Sequence, residues 1–498
     1  MDPLLDLFLG LFGGLEPQDL FTGPEESLGT QVWVYDASGN RIELTDPANQ
    51  GGDDSTRVGA GFGNPANKYS WSSALYDDGK GGEDLYIGTF NAFIDYRGLV
   101  TAFIKISQQS KVGAQLAIDP NNPSGFFSAL TDNEFFPTLI DTQGGEIWKY
   151  ESLTPDDPGA AGGTWSKVYD AAEVPDLGPD VAGFRSMVSF DGKLLAASSS
   201  KLIYDLLSIN QDQPTTISVY DGSAWSVLKG GPFDDPNNAS IRTMKEVGGK
   251  LLIGTENAKD GAQLWALEFV GDSVVPLWKR LTDLPSYTFT DISGADLSDL
   301  FGKSPVDPAS TGDILNLSNF AGLEGKFLIG TWQPYGLYMG DINDPTGAYK
   351  PIILPENALL LSPAPIDNGV MRMEEYNGYI YIGSVNYTGG TSVFRISIES
   401  LKVLTEPQAS LNPFQLGNGV ALALAASPWE VLTDDGFRNI QDNITGGTTV
   451  EELVRGSGTA DPSGNGISTY SWSMNVVNDK LYIGDFSGEA GVARLYEI

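Results

Sequence analysis

The sequence contains no cysteine and no histidine. Without thiols there is no disulfide framework, no thiolate nucleophile and no thiolate metal site. Without imidazole, the commonest general base and the commonest transition-metal ligand are both missing. Haem, Zn and Cu sites are therefore not expected. Basic residues are also scarce: 29 Lys and Arg stand against 65 Asp and Glu, for a formal charge of −36. Such a chain has no basic stripe with which to displace counterions from phosphates, so nucleic acid is not an expected partner. No apolar run approaches the ~20 residues of a membrane-spanning helix. Walker, dinucleotide and Gly-x-Ser-x-Gly fingerprints are not found in a usable context, so no nucleotide is expected either.

What is present is a repeated phrase. Lys250-Leu251-Leu252-Ile253-Gly254-Thr255-Glu256-Asn257 is followed by Gly261-Ala262-Gln263-Leu264-Trp265. An apolar run, a polar turn and a second apolar run ending in an aromatic describe a β-hairpin with one buried face. Copies of the first run stand at Asp84-Leu85-Tyr86-Ile87-Gly88, Lys326-Phe327-Leu328-Ile329-Gly330, Tyr379-Ile380-Tyr381-Ile382-Gly383 and Lys480-Leu481-Tyr482-Ile483-Gly484, with a weaker one at Lys193-Leu194-Leu195-Ala196-Ala197.

The runs begin at 85, 194, 251, 327, 380 and 481, and the first interval is about twice the shortest. A degenerate copy beginning at 135 would regularise the set, because Asp119-Pro120-Asn121-Asn122 precedes Gly144-Gly145-Glu146-Ile147-Trp148 much as Asp235-Pro236-Asn237-Asn238 precedes Gly261. Each unit reads as four antiparallel strands, A to D, at a period that suits a propeller blade. The expected fold is all-β, a seven-bladed β-propeller over 31–498, closed by a strand from the N-terminus because unpaired edges must be covered. Six or eight blades are the alternatives. Insertions are expected near 282–313, 401–427 and 438–468, the last with a short helix around 450–455.

The first thirty residues stand apart. Residues 2–15 are apolar like the core of a secretory leader, but they lack a basic start and carry Asp2 and Asp6. They read as a segment packing on the body or on a second copy. An acidic surface fits a salty medium, divalent-cation binding or high solubility; the first two place the chain outside the cell or at its surface.

The phrases Gly61-Phe62-Gly63-Asn64-Pro65, Asp235-Pro236-Asn237-Asn238, Gly183-Phe184-Arg185-Ser186-Met187, Asn377-Gly378-Tyr379 and Gly254-Thr255-Glu256-Asn257 resemble repeats of a broad group of bacterial and archaeal β-propeller proteins. Most of that group are exported and of unassigned function. The resemblance spans nearly the whole chain outside the insertions. It implies the fold and says almost nothing of activity, because propellers host enzymes, lectins and scaffolds alike.

Candidate ligand-binding residues follow from position. Six residues past the start of each run stand Asn91, Asp141, Ser200, Asn257, Gln333, Asn386 and Ser487, all polar. Such residues bond their own turns, or they ring one mouth with groups suited to sugar hydroxyls or a hard cation. Strand A places Arg185 and Arg242 on neighbouring repeats, where they would clamp a carboxylate or sulfate, or pair with Asp or Glu. Trp71 and Trp472 occupy matching Tyr-Ser-Trp-Ser phrases, as packing or as a stacking platform for a sugar. Asp234, Asp235 and Asn237 offer the mixed carboxylate and amide oxygens that Ca²⁺ accepts, although Asp-Pro-Asn is also turn chemistry.

The function expected is a non-catalytic extracellular or surface-associated module for binding or assembly, recognising a glycan or a protein and steadied by Ca²⁺. A His-independent polysaccharide-active or ester-active enzyme using carboxylates, Tyr and Arg is the alternative. A structural subunit assembled through residues 1–15 is a third reading.

Overall fold

The computed structural model describes most of residues 30–94, 140–199, 215–283, 313–352, 369–405, 429–433, 451–453 and 470–497, with short gaps. Among the described residues the chain is all-β and antiparallel, with one α-helix, α1 (Ile398–Thr405). No helix among them is long and apolar enough to cross a membrane. The chain divides into two compact units. One comprises Glu16–Ile241 and Phe269–Leu277, the other Arg242–Glu268 and Trp278–Ile498.

Two short strands, β1 (Trp33–Tyr35) and β2 (Arg41–Glu43), pair with each other. The remaining strands fall into four-stranded sets. The first set is β3 (Asn67–Asp77) and β4 (Glu83–Asn91), then, beyond the small pair β5 (Phe93–Ile94) and β6 (Ile140–Asp141), β7 (Glu146–Glu151) and β8 (Thr164–Asp170). The second is β9 (Gly183–Phe190), β10 (Lys193–Ser199), β11 (Ile217–Tyr220) and β12 (Trp225–Val227), and the third is β13 (Ser240–Val247), β14 (Lys250–Glu256), β15 (Gln263–Phe269) and β16 (Pro276–Asp283). The fourth is β17 (Asp313–Ser318), β18 (Lys326–Trp332), β19 (Gly336–Asp341) and β20 (Lys350–Ile352); the fifth is β21 (Gly369–Tyr376), β22 (Tyr379–Val385), β23 (Val393–Ser397) and β24 (Trp429–Thr433). The sixth is β25 (Glu451–Leu453), β26 (Tyr470–Val477), β27 (Lys480–Ser487) and β28 (Val492–Glu497).

Three expectations are corrected here. The strands at 146–151 and 164–170 do not belong to a separate repeat beginning at 135. β7 pairs directly with β4, Leu85 opposite Tyr150 and Gly88 opposite Ile147, so they complete the first set. The long first interval is one set with residues 95–139 inserted between its second and third strands. Among the described residues the outer strand of the last set is β25 and not an N-terminal one, since β28 pairs with β27 and with β25. That β25 lies where a short helix was expected. The expected insertions at 282–313, 401–427 and 438–468 fall largely outside the described residues.

The repeated phrase has a packing cause. A Cβ on Gly254 would stand 2.5 Å from Ile314 Cγ2, one on Gly330 2.6 Å from Val370 Cγ1, and one on Gly383 2.3 Å from Ser471 Cβ. In each case the obstacle is the first strand of the next set, so glycine is required for the two sets to approach. The Ser or Thr that follows is equally constrained. Thr89 Oγ1 accepts from Glu146 N at 3.0 Å, Thr255 Oγ1 from Gln263 N at 2.9 Å and Ser384 Oγ from Ser392 N at 2.8 Å. Each clamps the start of its own third strand.

Apolar cores lie between successive sets. Ile147, Tyr169, Phe184, Met187 and Leu194 are buried together in one unit, and Leu252, Leu264, Ile314, Leu317, Phe327 and Ile329 in the other. The ends of five second strands also bridge to the next set: Phe90 with Gly183, Ser199 with Ser240, Glu256 with Asp313, Trp332 with Gly369 and Val385 with Tyr470.

The N-terminal residues cover the first set instead. Leu44 O accepts the Trp165 Nε1 proton at 2.9 Å, and Phe62 stacks on Trp148 with centroids 4.9 Å apart. Val32, Leu44, Phe62, Tyr150 and Trp165 share one buried cluster. Burying those indoles removes a large apolar area from water, which is why this segment packs where it does.

Candidate functional site

The first strand of most sets is bulged opposite the glycine marker. The register of β3 on β4 shifts between Ser70 and Ser72, that of β9 on β10 shifts at Arg185, that of β21 on β22 at Met371 and that of β26 on β27 at Trp472. In the fourth set the shift falls at Leu315, just before Asn316, which stands opposite the marker Gly330. A bulge leaves one residue outside the ladder and re-aims it. Trp71 and Arg185 are therefore equivalent residues on adjacent sets, which their sequence spacing had suggested.

The structure brings these two together. The Arg185 guanidinium carbon stands 5.0 Å from the Trp71 ring centroid, and Arg185 Nη1 donates to Ser240 Oγ at 3.2 Å. Trp71 in turn lies 4.2 Å from the Phe90 ring, and a Cβ on Gly183 would meet Trp71 Cε3 at 2.9 Å. Ser240 bridges Ser199, whose buried hydroxyl has no hydrogen-bond partner among the described residues. Trp71 and Arg185 are both half-buried. An indole, a guanidinium and two hydroxyls are thus contributed by the first, second and third sets. Neither Ser240 nor Ser199 was singled out by sequence spacing; the only signal was their place at strand ends.

Arg242 is placed differently. Its Nη2 lies 3.3 Å from Glu256 Oε2 and its Nε 3.4 Å from the same oxygen, and the Glu256 side chain is buried. Arg242 therefore pairs with a carboxylate of its own set.

Two of the polar strand-end residues lie inside the protein. Asn91 and Asn257 are both fully buried. Asn91 Nδ2 donates to Asn67 Oδ1 at 3.0 Å, and Asn67 Nδ2 donates to Glu146 Oε2 at 2.7 Å. Glu146 also accepts from Trp148 Nε1 at 2.8 Å and pairs with Lys167 at 3.2 Å. The third set repeats part of this with an amide, since Trp265 Nε1 donates to Gln263 Oε1 at 2.9 Å. Asp141 lies on β6 and pairs with Phe93 in the separate β5–β6 pair, not on a repeat of its own. Trp472 occupies the bulge of β26. Gln333 and Asn386 lie outside the described residues.

The Asp-Pro-Asn-Asn loop folds as turn chemistry dictates. Asp235 Oδ1 accepts from Asn237 N at 2.9 Å, Asp235 O from Asn238 N at 3.1 Å, and Asn238 Nδ2 donates to Pro232 O at 2.7 Å. Asn64 does the same for Ala66 N at 3.0 Å. Asp234 closes a short 3-10 turn and is exposed. The loop has donor types that Ca²⁺ accepts, with one Asp235 oxygen already bonded to the turn. Among the described residues, no group of three or more carboxylates comes together as a metal site.

A further charged cluster was not foreseen. Lys149 lies 2.7 Å from Asp84 and 3.4 Å from Asp78, and all three side chains are largely buried. Burial pushes the Asp84 carboxyl up, against the pull of Lys149. Burial works against the Lys149 charge, yet the bond to Asp84 holds its ammonium above the ordinary value. Burial likewise raises the neighbouring Tyr86 phenol, with the Asp78 and Asp84 charges adding to it.

No protein-family model matches the chain, and no curated protein matches it. Among solved structures it is similar to an ancestral GH74 enzyme, at 9% identity and TM-score 0.42, over 86% of this chain and 42% of that one. A protein from Lactobacillus plantarum aligns at 8% identity and TM-score 0.34, over 92% of this chain and 87% of that one. A PL25 polysaccharide lyase, an ulvan lyase, aligns at 10% identity and TM-score 0.31, over 84% and 80%. The chain thus spans less than half the length of the GH74 enzyme. These are loose likenesses.

Proposed function

We propose that the chain is a non-catalytic binding or assembly module of the β-propeller type, its four-stranded sets serving as blades, that works outside the cell or at its surface and recognises a glycan. The observation that carries this reading is the Arg185 guanidinium lying over the Trp71 ring with Ser240 at its edge. A guanidinium stacked on an indole directs its N–H groups in its own plane, where they suit paired oxygens of a sugar. The adjacent aromatic surface suits the apolar face of a sugar ring. A protein ligand would use the same pair, since Trp and Arg dominate protein interfaces as well. Self-association through residues 1–15 and Ca²⁺ held by the oxygen-rich loops complete the proposal.

The test is a glycan array probed with the wild-type protein and with Arg185→Met. The proposal expects glycan hits that the substitution removes, with no turnover of the bound sugars. Hits that survive Arg185→Met would overturn the site, and turnover would overturn the non-catalytic assignment. A melt with and without chelator tests the Ca²⁺ component separately, which an unchanged midpoint would remove.

A further inference from the structure

Three strands bring one row of residues together beside the Trp71 and Arg185 pair. Ser199 of β10 stands opposite Gly183 of β9 on one side and opposite Ser240 of β13 on the other. Residues directly opposite each other in antiparallel strands point to the same face, so Gly183, Ser199 and Ser240 form one line across the sheet. Both ends of that line are in contact with the pair. A Cβ on Gly183 would meet Trp71 Cε3 at 2.9 Å, and Ser240 Oγ accepts the Arg185 Nη1 proton at 3.2 Å. The Ser199 side chain therefore stands between the residue that Trp71 covers and the residue that Arg185 bonds. All five residues belong to one compact unit.

The hydrogen bonding of the two serines is incomplete. Ser199 and Ser240 are both fully buried, and a serine hydroxyl offers one proton and two lone pairs. Ser199 Oγ has no partner among the described residues, so it does not bond the Ser240 hydroxyl across the bridge. Ser240 Oγ accepts from Arg185, and no described residue accepts its proton. An unpaired buried donor is costly, and a water or an ion is the usual guest that takes its proton. Here the guanidinium keeps its charge at any ordinary pH. In a half-buried setting that charge favours a negative guest over a neutral one. Complete burial of both serines makes the guest small, a halide rather than a sulfate or a sugar acid.

We propose that Arg185, Ser199 and Ser240 hold a single anion of halide size, with the two hydroxyls as donors and the guanidinium as counter-charge. Ser199 is the discriminating residue, because its hydroxyl has no other task in the row. The glycan reading needs Trp71 and Arg185 but not Ser199, so either proposal can fail without the other.

The experiment melts the full chain in sodium gluconate, with sodium chloride or bromide replacing gluconate at constant ionic strength. The midpoint is expected to rise saturably by about 2 °C or more with either halide, as for any ligand that binds only the folded chain. Ser199→Ala should abolish that rise yet melt no lower than wild type in gluconate, because it removes an unpaired hydroxyl and not a bond. Arg185→Met should abolish the rise through loss of the charge. Crystals soaked in bromide should show an anomalous peak within hydrogen-bond distance of both serine oxygens. A midpoint indifferent to halide would mean that water meets the hydroxyls, and would overturn the proposal. A halide response that survives Ser199→Ala would overturn it too, by placing the ion elsewhere. Ser199→Ala removes a single oxygen, so it keeps the test decisive should Arg185→Met fail to fold.

Discussion

Trp71 and Arg185 lie far apart in the sequence but sit on adjacent sets, and the guanidinium carbon of Arg185 lies 5.0 Å from the ring centroid of Trp71. At a half-buried site such a contact contributes about 1 kcal/mol. A double-mutant cycle with Trp71→Leu and Arg185→Met, followed by urea unfolding, should return a coupling energy of that size. Strict additivity would mean that the ring and the guanidinium do not interact.

Gly254 should tolerate nothing larger. A Cβ there would lie 2.5 Å from Ile314 Cγ2. Gly254→Ala is expected to cost about 2 kcal/mol by overpacking, and Ile314→Val in the same chain should not recover it, because valine keeps both the Cβ and the Cγ2 that the new methyl meets. Denaturant midpoints measure both. A neutral Gly254→Ala would contradict the stated cause of the repeat.

Glu146 and Gln263 hold equivalent tryptophans, which makes a graded prediction available. Glu146→Gln retains an oxygen for Trp148 and loses the pairing with Lys167, so it should cost about 1 kcal/mol or less. Glu146→Ala leaves Asn67 and Trp148 donors unsatisfied and should cost about 3 kcal/mol. Urea melts of the two variants check the order.

Lys149→Met would leave Asp78 and Asp84 without the ammonium that lies 3.4 Å and 2.7 Å away. Removing one partner of a buried ion group costs about 3 kcal/mol, because the other charges stay desolvated. A loss within a few tenths of the surface average would show that the cluster is hydrated.

Asp221 is the clearest pH marker. The Ser223 hydroxyl, with the backbone N–H groups of Ala224 and Ser223, lowers its carboxyl to about 2. The folded value lies below the ordinary carboxylate value, so this turn's contribution is present above the unfolded value. It is lost as pH falls through about 2. A carboxyl-detected NMR titration should find that midpoint, and Ser223→Ala should move it upward.

Much of the architecture was legible in the chain. The apolar runs ending in glycine are second strands because their period of two and their turn residues leave few alternatives. Pairing partners were not legible. Glu146-Ile147-Trp148 reads as a third strand whichever second strand it meets, so the 45 residues from 95 to 139 looked like part of another repeat. Local pattern fixes strand type, whereas long-range pairing depends on which face is left uncovered. The same limit hid the candidate site. Spacing placed Trp71 and Arg185 at equivalent positions, but Ser240 reaches Arg185 through a bridge between sets. Asn91 was read as a rim residue because polarity is visible in sequence and burial against Asn67 is not.

The most direct measurement is a crystal structure of the full chain with the strongest glycan-array ligand. The account predicts ligand density against the Arg185 guanidinium and within contact of Trp71, with the Arg185 to Ser240 contact kept or exchanged for a ligand oxygen. Density seated elsewhere, with Trp71 and Arg185 untouched, would contradict it.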